Sequence, residues 1–245
     1  MRIFAGPNGS GKSTLKSVIK PALLGVYINA DDIEQTIRLE GALDLSQFTV
    51  DSTADHAVEF LKSSPLLQKS GVDDLSTVGV KTSGTMLMVD SEEVNAYIAA
   101  AIAGFLREEL LRLRISFTFE TVMSSPDKVD LMRRAREAGF RVYLYYIATA
   151  DPEINSSRVQ SRVNSGGHDV PEDKIVSRYY RSLDLLYDAI RNSNRAYVFD
   201  NSTEEKEKVW LAEMTDGGQL TLNSDEVPEW FGRYVIDKAQ GGSRS

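Results

Sequence analysis

The sequence predicts an α/β protein, a parallel β-sheet sandwiched by helices and carrying one inserted segment. Three observations predict it. A glycine-rich stretch, Gly6-Pro7-Asn8-Gly9-Ser10-Gly11-Lys12-Ser13-Thr14, stands between an apolar run and a helical pattern. Short apolar runs alternate with helix-period segments along most of the 245 residues. Polar residues follow several of those runs directly, on the edge where open α/β sheets bind ligands.

The glycine-rich stretch fits the phosphate-loop pattern G-x-x-x-x-G-K-[ST]. Arg2-Ile3-Phe4-Ala5 reads as the strand before it, and Thr14 to Ile19 as the start of a helix. Glycines let consecutive backbone N–H groups turn toward one anion, and a helix N-terminus adds partial positive charge. In this pattern Lys12 reaches the β- and γ-phosphates of ATP, and the Ser13 hydroxyl holds Mg²⁺. Glycine loops also make simple tight turns, but the full match at a strand–helix junction favours phosphate binding.

The net charge of -8 and pI near 5.0 argue against nucleic acid or an anionic membrane as the general partner. With no cysteine and two histidines, disulfides, thiol chemistry and a structural zinc site are all disfavoured. The first strand follows Met1 at once, without a signal peptide, and no apolar run is long enough to span a bilayer. A cytoplasmic protein is the expectation.

In chain order, the first helix is expected to end near Pro21, and Gly25 to Ile28 forms a buried strand. Asn29-Ala30-Asp31-Asp32-Ile33 then places two carboxylates after that strand. One can take a proton from a substrate hydroxyl, and one can cap the following helix. Residues 40–90 read as an insertion, with a helix over Asp51–Lys62 and a hairpin over Ser76–Val89 that turns at Ser83-Gly84. His56 reads as a surface residue. A long helix is expected over Ser91–Arg114, capped at Ser91, followed by a strand from Ile115 to Phe119 and then Glu120-Thr121.

Ser125-Pro126 opens a helix that closes at Gly139, and Arg141–Ala148 is a near-continuous apolar strand of the doubly covered kind. Two helices follow, Asp151–Asn164 and one opening at Pro171 and running to Asn192. Arg158, Arg162, Arg178 and Arg181 flank the Gly166-Gly167-His168-Asp169 loop between them, which suggests a mobile lid of phosphate-binding cations. His168 reads as a loop-stabilising residue rather than a base. Arg195–Phe199 is the last core strand, before Asp200-Asn201-Ser202, a turn near the adenine or a simple cap. A hairpin over Lys208–Met214 and Gln219–Asn223, a short helix over Trp230–Lys238 and a disordered tail over Gln240–Ser245 complete the chain. Residues 1–202 read as the core, with 203–245 an extension of the same domain.

This ordered set resembles the zeta-toxin-like P-loop kinases, in the branch described as predicted ATPases. The resemblance lies in Gly6 to Thr14, Asn29-Ala30-Asp31-Asp32-Ile33, Phe119-Glu120-Thr121-Val122, and Arg158-Val159-x-x-Arg162 through Pro171. It continues in Arg178-Tyr179-x-Arg181 and Asp200-Asn201-Ser202. It implies ATP (or GTP) and Mg²⁺ as cofactors, a small-molecule hydroxyl such as that of UDP-N-acetylglucosamine as acceptor, and an antitoxin protein as partner. By the same resemblance Asp31 is the base, Glu120 binds the acceptor with Thr121 and Asp32, and Lys12 with Arg162 or Arg158 stabilises the transferred phosphoryl group. The sequence departs from the toxins where Thr121-Val122 replaces a Gly-Thr pair and where Gly167–Pro171 holds no arginine. An ATPase or nucleotide switch, and a toxin–antitoxin binding module, remain the alternatives.

Overall fold

The computed structural model describes residues 1–72, 74–165, 170–203, 208–216 and 218–241. The first half of the chain holds β1 (Arg2–Ala5), β2 (Val26–Ile28), α1 (Ala30–Glu40), β3 (Ala42–Asp44), α2 (Ala54–Lys62), α3 (Pro65–Ser70), β4 (Lys81–Ser83), β5 (Met86–Met88) and α4 (Ala96–Arg112). The second half holds β6 (Phe117–Thr121), α5 (Asp127–Glu137), β7 (Tyr143–Ala148), α6 (Pro152–Asn164), α7 (Glu172–Arg191), β8 (Arg195–Asp200), β9 (Val209–Thr215), β10 (Gln219–Leu222), α8 (Glu229–Phe231) and α9 (Asp237–Gly241). They form two compact units, Met1–Lys20 with Glu120–Ser245, and Pro21–Phe119.

The first unit is built on the strand order β10-β9-β8-β7-β1. β1 pairs with β7 in parallel from Arg2↔Tyr143 to Ala5↔Tyr146, and β7 pairs with β8 in parallel. β9 and β10 add the antiparallel hairpin foreseen near the C-terminus. Ile3, Phe4 and Ala5 are all buried. Successive side chains of a strand point to opposite faces, so both faces of the sheet are covered. Ile175, Tyr179, Leu183, Leu186 and Ile190 form the buried stripe of α7, at the three- and four-residue spacing of one helix face. Each such side chain contributes roughly 1.5–3 kcal/mol of burial.

Two segments of this unit differ from expectation. Lys12–Val18 is a 3-10 turn, not an α-helix. The run is rich in serine and threonine, which compete for backbone groups, and the Thr14 hydroxyl donates to the Gly11 carbonyl at 2.8 Å. Pro21, the first residue of the second unit, opens another short 3-10 turn. The C-terminal helix holds a π-turn over Gly232–Ile236 between α8 and α9, with Trp230, Phe231, Tyr234 and Val235 buried. The loop at 166–169, including His168, and the tail at 242–245 lie outside the described residues.

The second unit pairs β2 with β6 in parallel, Val26↔Phe117 to Ile28↔Phe119. Its insertion folds as a three-stranded antiparallel sheet in the order β3-β5-β4. The foreseen hairpin is there as β4 and β5; β3 is additional. The long helix begins at Ala96 rather than Ser91. Asn95 accepts hydrogen bonds from both Tyr97 N and Ile98 N, whereas the Ser91 hydroxyl turns to the Ile37 carbonyl at 3.3 Å. Two satisfied amides make asparagine the stronger cap. No described helix is long and apolar enough to cross a membrane.

Candidate phosphate-binding site

The loop after β1 is shaped by its glycines. Gly6 has φ 141, and a Cβ there would stand 1.9 Å from the Ile147 carbonyl oxygen. No side chain fits, because the loop backbone packs directly on the end of β7. Gly11, with φ 94, would place a Cβ 2.6 Å from Asn201 Nδ2.

Two side chains and one backbone carbonyl from other elements hold this backbone. The Asn155 amide, buried on α6, donates to the Asn8 carbonyl and accepts from Thr149 Oγ1 just after β7. Asn201 Nδ2, at the end of β8, donates to the Ser10 carbonyl at 2.9 Å. On the β6 side, Gly6 N donates to the Thr121 carbonyl at 3.3 Å. Lys12 curls back, its Nζ donating at 2.8 Å to both the Gly6 and Pro7 carbonyls. Asn8 Oδ1 and Ser10 Oγ are buried without a partner among the described residues. Gly6 N, Ser10 N and Thr14 N are engaged within the chain; a loop whose carbonyls are fixed from behind can turn other amides to an anion, the property a phosphate site needs.

The other foreseen residues fall as follows. Arg158 reaches across to the Asn201 carbonyl at 2.7 Å, so it braces the residue that braces the loop. Arg162 is exposed on the same helix. Arg181 folds onto its own helix, donating to the Ser177 carbonyl at 3.2 Å. Glu120 and Thr121 end β6 in the first unit, and the Thr121 hydroxyl accepts from Met123 N at 3.0 Å in a turn where Met123 has φ 53. In the turn after β8, Asp200 makes the local contacts while Asn201 faces the loop. Asp200 accepts from Ser202 N at 2.9 Å and from the Trp230 indole at 2.7 Å.

Asp31 and Asp32 lie in the second unit, exposed in the first turn of α1. Neither is the helix cap. Asn29 takes that place, accepting from Asp31 N at 3.0 Å and donating to Asp32 Oδ1 at 3.3 Å. The Asp31 carboxylate is thereby relieved of the capping role.

Two residues around the loop, Asn155 and Lys208, had no signal in the sequence, and Asn201 was singled out as part of a turn but not as a brace of the loop. Asn155 is a single amide without a spacing pattern. Lys208 sits in a run of glutamates and lysines that reads as a solvated charge cluster. In the structure it is half-buried, and its Nζ donates to Thr14 Oγ1. Burial pushes its ammonium below the ordinary lysine value.

Residues 89–209, just under half of the chain, match the family model described as Zeta toxin. That span includes Glu120, Arg158, Arg162, Asn201 and Lys208 but begins after the phosphate loop and Asp31. Among solved structures, a chain of the crystal structure described as AvrRxo1-ORF1:-ORF2 with ATP is 18% identical, with a TM-score of 0.52 over 91% of this chain and 60% of its own. A chain from the PezAT chromosomal toxin-antitoxin system of Streptococcus pneumoniae is 16% identical over 100% of this chain and 84% of its own, at a TM-score of 0.46. An uncharacterized protein of Haemophilus influenzae is 39% identical over 69 residues, 28% of this chain and 49% of the relative. The chain thus spans about half the length of that curated relative and 60% of the AvrRxo1 chain. A glycine loop after the first strand of a mostly parallel sheet flanked by helices gives this chain a P-loop kinase-type fold, and residues 89–209 are similar to the Zeta toxin family.

Proposed function

We propose that the chain is an ATP-dependent phosphotransferase, moving the γ-phosphate to a hydroxyl of a small molecule such as UDP-N-acetylglucosamine. The observation that carries this reading is the loop itself, a full phosphate-binding motif whose backbone is braced by Asn155, Asn201 and Thr121. The family match and the similarity to a structure described with ATP support it.

In this reading the loop amides and Lys12 take the triphosphate, and Lys12 exchanges its two carbonyls for phosphate oxygens. The acceptor oxygen forms a bond to the γ-phosphorus as the bond to the β–γ bridging oxygen breaks, and ADP leaves with that electron pair. Asp31 receives the acceptor's proton. Glu120, with Thr121 and Asp32, orients the acceptor, and Lys12 with Arg162 or Arg158 stabilises the phosphoryl charge. Ser13 is exposed, which suits a magnesium ligand, and no described cluster of three acidic or histidine residues competes for the ion. Mg²⁺ bound there with the phosphates would supply charge neutralisation and orientation. The proposal extends to GTP as an alternative donor, an antitoxin protein as partner and a cytoplasmic location.

The test is ADP release from Mg-ATP, with and without UDP-N-acetylglucosamine, on wild type and Asp31→Ala. Stimulation by the sugar nucleotide that disappears in the variant supports the kinase and its base. Unstimulated release that is indifferent to Asp31 supports the second reading, an ATPase, which the lack of an arginine in Gly167–Pro171 favours. Tight ATP binding without turnover supports a binding module.

A further inference from the structure

We infer that Lys208 is a second phosphate-binding lysine of the loop, supplied by the chain leading into the C-terminal hairpin and directed at the nucleotide phosphate that lies at the Thr14 end. The inference rests on the loop being a nucleotide site and adds a residue to it.

Three observations carry it. The two lysines stand at opposite ends of the loop. Lys12 Nζ is at the Gly6 and Pro7 carbonyls, 2.8 Å from each, and Lys208 Nζ is at the Thr14 hydroxyl. The stem of Lys208 also lies across the loop, its Cε only 3.7 Å from where a Cβ on Gly11 would be. Finally, its partner is a neutral hydroxyl, and no carboxylate among the described residues pairs with it. A lysine serving only to solvate the surface would extend into water or meet an acid. Here a cation is half-buried over a loop built to receive anions, with burial working against its charge. A phosphate oxygen would restore the opposite charge and form a charge-assisted hydrogen bond. A polyphosphate laid along the loop would then be gripped at both ends, by one lysine within the motif and one nearly 200 residues later.

The test is titration of fluorescent mant-ADP and mant-adenosine into wild type, Lys208→Gln, Lys208→Arg and Lys12→Ala, with thermal melts alongside. The expected result for Lys208→Gln is an unchanged melt, affinity for mant-ADP lowered about tenfold, and unchanged affinity for mant-adenosine. Lys208→Arg keeps the charge and should stay within about threefold of wild type. If Lys12→Ala weakens mant-ADP and Lys208→Gln does not, the inference about Lys208 falls while the nucleotide site stands. Equal losses for mant-ADP and mant-adenosine would also overturn it, because the residue would then act on the fold rather than on phosphate. A wild type that binds no mant-ADP removes both readings together.

Discussion

Around the phosphate loop, side chains donate to main-chain carbonyls. Asn155 holds Asn8, Asn201 holds Ser10, and Lys12 holds Gly6 and Pro7. Around Glu109 on α4, side chains satisfy one another. Glu109 accepts from the Ser52 hydroxyl and from Arg112 at 2.9 Å, and Arg112 also reaches Asp51 at 3.0 Å. The ring of His56 lies edge-on to Phe105 at 5.5 Å, with Nδ1 3.9 Å from Glu109. The second cluster closes on itself and works as a staple between α4 and the segment leading into α2. Among the described residues, the first leaves buried Asn8 Oδ1 and Ser10 Oγ without partners and sets Lys208 on a hydroxyl. The difference separates a network that closes on itself from one that fixes a loop backbone, as the proposed phosphate site requires.

The sharpest way to break the loop side of this comparison is Gly6→Val. Its side chain would enter the Ile147 carbonyl at a backbone angle that favours glycine. A loss of about 3 kcal/mol or more is expected in urea denaturation, and a loss under about 1 kcal/mol would contradict the close approach.

On the staple side, Glu109→Gln should cost about 1–3 kcal/mol by leaving Arg112 and Ser52 without their charged acceptor. Desolvation opposes the Glu109 charge, but the hydrogen bonds from Arg112 and Ser52 and the charge of Arg112 outweigh it and hold the carboxyl below its ordinary value of 4.5. Folding therefore favours the charged form. The stabilisation is complete above about pH 4.5 and is lost as pH falls through the lower folded value. The wild-type advantage over Glu109→Gln should shrink as the pH is lowered through that window; an advantage that does not change with pH would show that charge plays no part.

A smaller effect is expected for Asn201→Ala. Loss of the bond to Ser10 should destabilise by about 1 kcal/mol and weaken nucleotide binding more than it weakens the fold. Smallest of all, Asp31→Asn should alter stability by less than about 0.5 kcal/mol, since its side chain is exposed and Asn29 is the cap. A large loss of stability there would mean that Asp31 is structural.

Much of the first unit was legible in the sequence because its strands are short apolar runs and its loop is a motif. β1, β7 and β8 follow from their short apolar runs and the final hairpin from its turn residues. β3 did not, because Ala42-Leu43-Asp44 is too short to show a period. The helix after the loop became a 3-10 turn, where the Thr14 hydroxyl takes the Gly11 carbonyl. The start of α4 moved to Asn95, whose one carbonyl oxygen caps two amides. At the site, Lys12 and the glycines were readable as a local pattern. Asn155, Asn201 and Lys208 were not, because their roles come from proximity in the fold across 147, 191 and 194 residues.

The measurement that tests the central claim most directly is ATP turnover and ATP binding by Lys12→Ala beside wild type, with a denaturation curve for each. The account predicts an intact fold, ATP turnover reduced by about three orders of magnitude or more, and weakened binding, because a preorganised cation at the phosphates is removed. Turnover and affinity equal to wild type in a folded variant would contradict it, and the loop after β1 would then not be the site of nucleotide chemistry.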